Sequence, residues 1–160
     1  MKSMSQDLLE DALKSSIEEE KAKLIEEFAF FDDWIERYEY LIDIGRKHPP
    51  LNAAYKIDEF KLSGCQSQVW LVAERLGDRL LFHATSDAAI VSGIIALLLR
   101  VYSNRTPEDI IVTKPDFIQA IGLDSHLSAT RKSGLNAMLR AIKDRAQAEL
   151  DHCSEEREKG

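Results

Sequence analysis

The chain has 160 residues, enough for one domain, and 44% of them are hydrophobic, which is enough to build a core. Charged residues make up 31% of the chain, and the formal net charge is −7 at pH 7. An acidic chain without a basic stripe is atypical of nucleic-acid-binding proteins, and without a basic amphipathic segment it is atypical of membrane-surface proteins. We therefore expect small molecules or other proteins as partners, with no nucleic acid and no membrane.

The apolar runs and the cysteine content bear on the compartment. The longest apolar run, residues 88–99, is interrupted by Ser92 and Gly93 and is shorter than the roughly 20 residues of a membrane span. The acidic N-terminal segment resembles neither a signal peptide nor an organelle transit peptide. Two cysteines, Cys65 and Cys153, cannot form the disulfide framework of a small secreted protein. We expect a cytoplasmic protein in which both thiols stay free.

Three segments are predicted along the chain. Residues 1–23 form an acidic N-terminal extension that is either helical or mobile, because its few apolar residues recur at helical spacing. Residues 24–150 form the domain itself, and residues 151–160 form a charged C-terminal tail. No internal repeat is present.

The first part of the domain has the period of an amphipathic helix. Apolar side chains recur every three or four residues between Leu24 and Ile42, and they line one helix face. Asp32 leaves open a division of this stretch into two helices. Gly45 is expected just past the helix end, since His48-Pro49-Pro50 prevents continuation.

The middle of the chain changes to the period of strands. A short alternating segment around residues 55–62, the run 69–73 and the run 80–84 predict three short strands, the last two joined by a tight turn at residues 76–79. Three such strands make an antiparallel meander. In that arrangement Gly64 and Cys65 lie at the turn between the first two strands.

The second half of the domain predicts helices. Ser86 and Asp87 offer a cap and a first-turn acid for a helix over residues 88–103, which is apolar on nearly every face and therefore buried, with Gly93 allowing close approach to a strand. Residues 106–112 and 114–122 predict two short helices, and residues 135–146 mark a long C-terminal one. The fold class is α+β, with a small antiparallel three-stranded sheet packed against helices.

Cys65 has three interpretations from its surroundings: a small buried hydrophobe, a metal ligand, or a reactive thiol. Placement at a turn favours the reactive thiol, because functional side chains concentrate on loops. Gly64 gives the backbone freedom, and turn amides with the side chains of Gln66, Ser67 and Gln68 are able to hold an anionic sulfur.

The competing chemistries have less local support. Zinc and iron–sulfur sites use clustered cysteine or histidine ligands at short spacing, whereas Cys65 stands alone and Cys153 lies in a polar tail. A cysteine–histidine hydrolase that pairs Cys65 with His83 or His126 stays open, although no oxyanion motif surrounds Cys65. We expect no resident metal and no resident cofactor.

Residues 64–70 (GCQSQVW) resemble the cysteine motif of the SufE family of sulfur acceptors. Four further segments match the same family in order: 34–45 (WIERYEYLIDIG), 86–93 (SDAAIVSG), 106–110 (TPEDI) and 126–135 (HLSATRKSGL). Together the matches cover about residues 25–150. The resemblance implies a fold like that of the IscU-type iron–sulfur scaffold proteins.

The resemblance also implies a function. A SufE-like protein binds a cysteine desulfurase that depends on pyridoxal phosphate, of the SufS or CsdA kind, and takes sulfur from its persulfide. It thereby activates the desulfurase and passes the sulfur to an iron–sulfur scaffold such as a SufBCD-like complex. The pyridoxal phosphate belongs to the partner. The chain is then a carrier and activator rather than a stand-alone enzyme.

On this resemblance Cys65 is the persulfide acceptor, and Gly64, Gln66, Ser67 and Gln68 form its supporting loop. Three other residues are expected near that loop, namely Arg131, His126 and Asp87. Their ordinary interpretations are an exposed helix charge, a polar group near a helix start and a first-turn acid. The alternative functions are an iron–sulfur or zinc scaffold of the related fold and a binding module whose cysteine is only structural.

Overall fold

A computed structural model describes the backbone of residues 4–65 and 67–159, and the side chains of residues 17–65 and 67–154. Within these described residues, seven helices and two strands follow one another, with two 3₁₀ turns before the first strand. In chain order the elements are α1 Met4–Ala29, α2 Trp34–Lys47, the turns Ala53–Tyr55 and Asp58–Phe60, β1 Val69–Leu76, β2 Arg79–Ser86, α3 Ala89–Tyr102, α4 Pro107–Val112, α5 Asp116–Ile121, α6 Leu123–His126 and α7 Ala129–Lys159. The predicted α+β class is confirmed.

The sheet is a single antiparallel hairpin within the described residues. β1 and β2 pair in register from Val69 with Ser86 to Leu76 with Arg79. The expected third strand is wrong, because the segment before β1 forms 3₁₀ turns and makes only one isolated bridge, between Lys61 and Trp70. Residues 52–59 are exposed, so this segment has no buried face. A strand of alternating side chains is stabilised when one of its faces is buried, and that stabilisation is missing there.

The stretch from Leu24 to Ile42 forms two helices that are separated around Asp32, which is the division that the sequence left open. The chain leaves α1 after Ala29, and the Asp33 carboxylate accepts a hydrogen bond from the Ile35 amide at 2.8 Å, which caps α2. Aspartate at this position satisfies one of the amides that a helix start leaves unpaired. The chain therefore turns back on itself between the two helices.

Two glycines have roles that differ from their predicted ones. Gly45 lies inside α2, which continues to Lys47, and a Cβ on it would lie 2.6 Å from the Gly93 nitrogen. A Cβ on Gly93 would lie 2.3 Å from the Leu41 carbonyl oxygen, so Gly93 approaches α2 rather than a strand. The expected helix end at Gly45 is wrong because the glycine serves backbone contact between two helices.

The core is built around α3, which is buried along most of its length as predicted. α2 and the hairpin pack against α3, and α1 contacts both α3 and α5. Arg100 on α3 donates to the carboxylates of Glu20 and Glu27 on α1, and Ile17 on α1 is 5% exposed. The domain boundary after residue 23 stays a prediction, although α1 continues across it.

The predicted short helices and the C-terminal helix are confirmed. The Thr106 side chain accepts from the Asp109 amide and Pro107 opens α4, while Gly122 adopts φ 92° at the end of α5. Leu135, with Met138, Ile142 and Ala146, faces the core from α7. Among the described residues, no helix combines the length and apolar character needed to cross a membrane.

Candidate functional site

Cys65 is half-buried in the wall of a small cavity at the junction of the hairpin, α3 and α7. The centre of a water-sized molecule is able to occupy about 20 Å³ of the cavity, so the cavity has room for about one such molecule. The other residues that line it are Ser67, Val69, Val91, Ile94, Thr130, Arg131, Gly134, Leu135 and Met138. The lining is mainly apolar, and Arg131 is the one charged member among these described residues.

The loop that carries Cys65 is closed by backbone hydrogen bonds. The Leu62 amide donates to the Val69 carbonyl at 2.9 Å, so the loop still connects two antiparallel backbone stretches even though the first is not a strand. Gly64 has φ 87°, a left-handed conformation that glycine adopts without steric cost. The predicted bend at Gly64-Cys65 is therefore present.

Asp87 secures the far end of the loop. Its carboxylate accepts from the Gln68 amide at 3.1 Å, and its own amide lies 3.4 Å from the Gln68 carbonyl. The predicted first-turn acid thus holds the loop, while the Ser86 hydroxyl accepts from the Ala88 amide before α3 begins. Ser67 lines the cavity and Gln68 is exposed, whereas Gln66 lies outside the described residues.

The thiol of Cys65 is in a setting that favours its neutral form. Its Sγ lies 3.8 Å from the Gly134 carbonyl oxygen, to which the S–H donates. Burial raises the pKa of the Cys65 thiol above its usual value. Burial therefore opposes the thiolate in this conformation, and stabilisation of a thiolate by the loop stays a prediction.

Arg131 lines the same cavity as Cys65 from the first turn of α7. The Ser128 hydroxyl accepts from the Arg131 amide at 3.3 Å, which caps the helix there. The Arg131 side chain is exposed, so its guanidinium is able to turn toward the cavity or toward solvent. A guanidinium at the mouth of an apolar cavity is suited to an anionic sulfur.

His126 does not line this cavity. Its ring stacks on Trp34, with ring centroids 3.7 Å apart and planes 14° apart, and its Nδ1 lies 3.0 Å from the Gly122 carbonyl oxygen. His83 lies on the hairpin, 3.3 Å from the Glu74 carboxylate. Neither histidine shares the described cavity with Cys65, so the geometry does not support a cysteine–histidine hydrolase.

The second thiol is far from the first. Cys153 lies on α7, nineteen residues after Gly134, which is about 28 Å along a helix that rises 1.5 Å per residue. Within the described residues no group of three or more histidine, cysteine, aspartate or glutamate side chains is placed to hold a metal ion. The two thiols are therefore too far apart to bond to each other within this chain.

The cavity walls contain residues that the sequence interpretation did not single out. Val91 and Ile94 from α3 and Thr130 and Met138 from α7 all line it. The helical spacing of Thr130, Gly134 and Met138 was the available signal, since residues four apart share a helix face. It was missed because those positions also fit an ordinary core-facing stripe.

A family model described as an Fe-S metabolism associated domain, that of SufE, matches residues 22–146. The chain belongs to the SufE family. An uncharacterized SufE-like protein of Rhizobium meliloti (strain 1021) is 39% identical over 133 residues, which cover 80% of this chain and 95% of that protein. A second one, from Rhizobium etli, is 37% identical over 130 residues, covering 78% of this chain and 88% of the relative.

A solved structure has the same fold. The solution structure of a hypothetical protein from Thermus thermophilus superposes with a TM-score of 0.68 at 20% sequence identity, covering 82% of this chain and 96% of that one. That likeness concerns the fold alone. Membership of the SufE family suggests a role in sulfur transfer with a cysteine desulfurase.

Proposed function

We propose that this protein is a sulfur carrier that accepts persulfide sulfur on Cys65 from a pyridoxal-phosphate-dependent cysteine desulfurase. The observation that carries the proposal is the setting of Cys65, on a glycine-led loop at a cavity with room for about one small group, in a chain of the SufE family. Acceptance of sulfur speeds the desulfurase because it removes the product from the partner's cysteine.

The transfer is an exchange without net oxidation. The Cys65 thiolate attacks the terminal sulfur of the partner's persulfide, and an S–S bond forms between Cys65 and that sulfur. The S–S bond of the partner breaks, and the partner's cysteine leaves as a thiolate. The proton first lost from Cys65 is available to that thiolate, so atoms and electrons balance.

The described conformation has the features of a resting state. Cys65 donates to the Gly134 carbonyl and its pKa is raised, so a protonated and partly sheltered thiol is favoured. Attack requires the loop to turn the sulfur outward, where water and the Arg131 guanidinium favour the thiolate. After transfer, the cavity offers space for one additional sulfur atom, away from reductants and oxidants.

The roles of the surrounding residues follow from their contacts. Gly64 permits the bend, Ser67 lines the cavity, Asp87 fixes the loop through the Gln68 backbone, and Arg131 supplies the positive charge. We further propose that the carrier works in the reducing cytoplasm that the two free thiols favour. It passes the sulfur to an iron–sulfur scaffold such as a SufBCD-like complex.

Stimulation of a SufS-type desulfurase tests this function. Alanine release from cysteine is measured with rising amounts of the wild-type protein, Cys65→Ser and Cys153→Ser. We expect the wild type and Cys153→Ser to stimulate equally and Cys65→Ser to give no stimulation, with unchanged circular dichroism in all three. Equal stimulation by a folded Cys65→Ser protein would show that the cysteine has only a structural role.

A further inference from the structure

The Trp34–His126 stack belongs to a wider set of contacts between the start of α2 and the segment before α7. The Arg37 guanidinium lies 5.2 Å from the centre of the Trp34 ring and donates to the carbonyls of Phe31 and Ile121, at 2.7 and 3.0 Å. The Tyr38 hydroxyl donates to the His126 carbonyl. We call Trp34, Arg37, Tyr38 and His126 the α2–α6 clamp.

The clamp lies immediately before one wall of the Cys65 cavity. Only Leu127 and Ser128 separate His126 from α7, whose first turns contribute Thr130, Arg131 and Gly134 to the lining. Leu127 is 6% exposed and packs the connection between α6 and α7 against the core. The clamp contacts the outer side of the same connection.

The opposite wall of the cavity is held separately. The loop that carries Cys65 is bound to the hairpin through Leu62 and Val69, and to the start of α3 through Asp87. The loop and the start of α7 are therefore each fixed by contacts of their own, besides the contact between Cys65 and Gly134 and the core packing of α7. Only the α7 side involves the clamp.

We infer that His126 is a positioning residue, whose stack on Trp34 holds the first turns of α7 against the Cys65 loop and so limits exposure of the thiol. His126 does not line the cavity and touches no reacting atom. It acts through the backbone that connects it to Arg131 and Gly134. The consequence of this inference for sulfur transfer rests on the proposed function. Its consequence for the exposure of the Cys65 thiol rests only on the geometry of the clamp.

The alkylation rate of Cys65 with iodoacetamide tests the inference without a desulfurase. The protein carries Cys153→Ser, so that Cys65 is the thiol that iodoacetamide labels, and the temperature is kept well below the melting temperature. An aromatic pair contributes about 0.5–1.5 kcal/mol, so its loss in His126→Ala is expected to raise the alkylation rate roughly two- to tenfold. His126→Phe keeps an aromatic ring and is expected to react at nearly the parent rate.

A second variant separates the clamp from general stability. Lys143 also lies on α7, and its Nζ donates to the carbonyls of Ile110, Ile111 and Thr113 at the end of α4, away from the cavity. Lys143→Met is expected to lower the melting temperature and leave the alkylation rate unchanged. A wild-type rate in His126→Ala would overturn the inference, as would an equal rise in Lys143→Met.

A double-mutant cycle and a desulfurase assay complete the test. Trp34→Ala and His126→Ala are expected to be less than additive in the alkylation rate, because either one alone removes the stack. In the desulfurase assay, His126→Ala is expected to change the saturating rate while the carrier concentration for half-maximal effect stays the same. If the wild type accepts no sulfur, the proposed function fails, while the alkylation rates still decide the role of the clamp.

Discussion

Cys65 is subject to two opposing requirements. Attack on a persulfide needs the thiolate, whereas partial burial next to the Gly134 carbonyl favours the thiol. On the proposed function, the half-buried thiol is less reactive at rest and becomes a better nucleophile when the loop exposes it.

The pH dependence of Cys65 alkylation checks whether exposure controls the thiol. Because burial raises the pKa of the Cys65 thiol, the alkylation rate of folded Cys153→Ser is expected to rise with a midpoint above that of the same protein unfolded in urea. The folded state retains the proton longer, so the stability that this group contributes is complete below the unfolded pKa. It is lost as the pH rises through the folded pKa.

The same titration also has an outcome that would contradict control of the Cys65 thiol by exposure. A folded midpoint below that of the unfolded chain would mean that the loop amides or Arg131 stabilise the thiolate in the resting state. Cys65→Ala in the same background serves as the control for stability, because it lacks the titrating group. Its unfolding free energy is expected to fall less steeply above the ordinary thiol pKa.

At the residue scale the sequence predicts the bend that carries Cys65, but not the burial of its thiol. A glycine immediately before a cysteine and small polar residues after it indicate a bend that presents the thiol, and Gly64 has the left-handed conformation. Burial raises the pKa of the Cys65 thiol, and the cavity around it is lined by Val91, Ile94 and Met138, which are distant in sequence and close only after folding. Local sequence carries no information on that burial.

Among the elements, α2 and α3 make a close backbone approach through Gly45 and Gly93. Sequence allows two interpretations of a glycine near a helix end: a cap or a close contact. For Gly45 the cap was predicted and the contact is present, because the partner helix lies 48 residues away in the chain. The missing third strand has a related cause, since alternation predicts a strand only where one face is buried.

Gly93→Ala tests the helix contact. A methyl group there would lie 2.3 Å from the Leu41 carbonyl oxygen, and neither backbone is able to yield locally. We expect a net loss of about 1–3 kcal/mol in unfolding free energy, measured in urea, despite the better helix propensity of alanine.

Gly134→Ala is the matched control for that substitution. It is also a helical glycine, and its Cβ would lie 3.7 Å from the Cys65 Sγ, an ordinary contact. This variant is expected to gain up to about 1 kcal/mol from helix propensity. If Gly93→Ala were as stable as Gly134→Ala, the close approach of α2 and α3 would be wrong.

Over the whole molecule, α7 connects two different regions. Its first turns line the Cys65 cavity, and its last described side chains include Cys153, about 28 Å farther along a helix that rises 1.5 Å per residue. One cysteine at a cavity, in a chain of the SufE family, is consistent with the proposed carrier. Several matching segments in one order predicted the family from sequence, whereas the cavity to which segments 64–70, 86–93 and 126–135 contribute emerged only from the fold.

The most direct measurement is mass spectrometry of the protein after incubation with a cysteine desulfurase and cysteine. We predict the added mass of one sulfur atom on the peptide that contains Cys65, sensitive to reductant, and none on the peptide that contains Cys153. The same treatment of Cys65→Ser is expected to add no sulfur to either peptide. A native protein that gained no sulfur on Cys65, or gained it on Cys153 instead, would contradict the central claim.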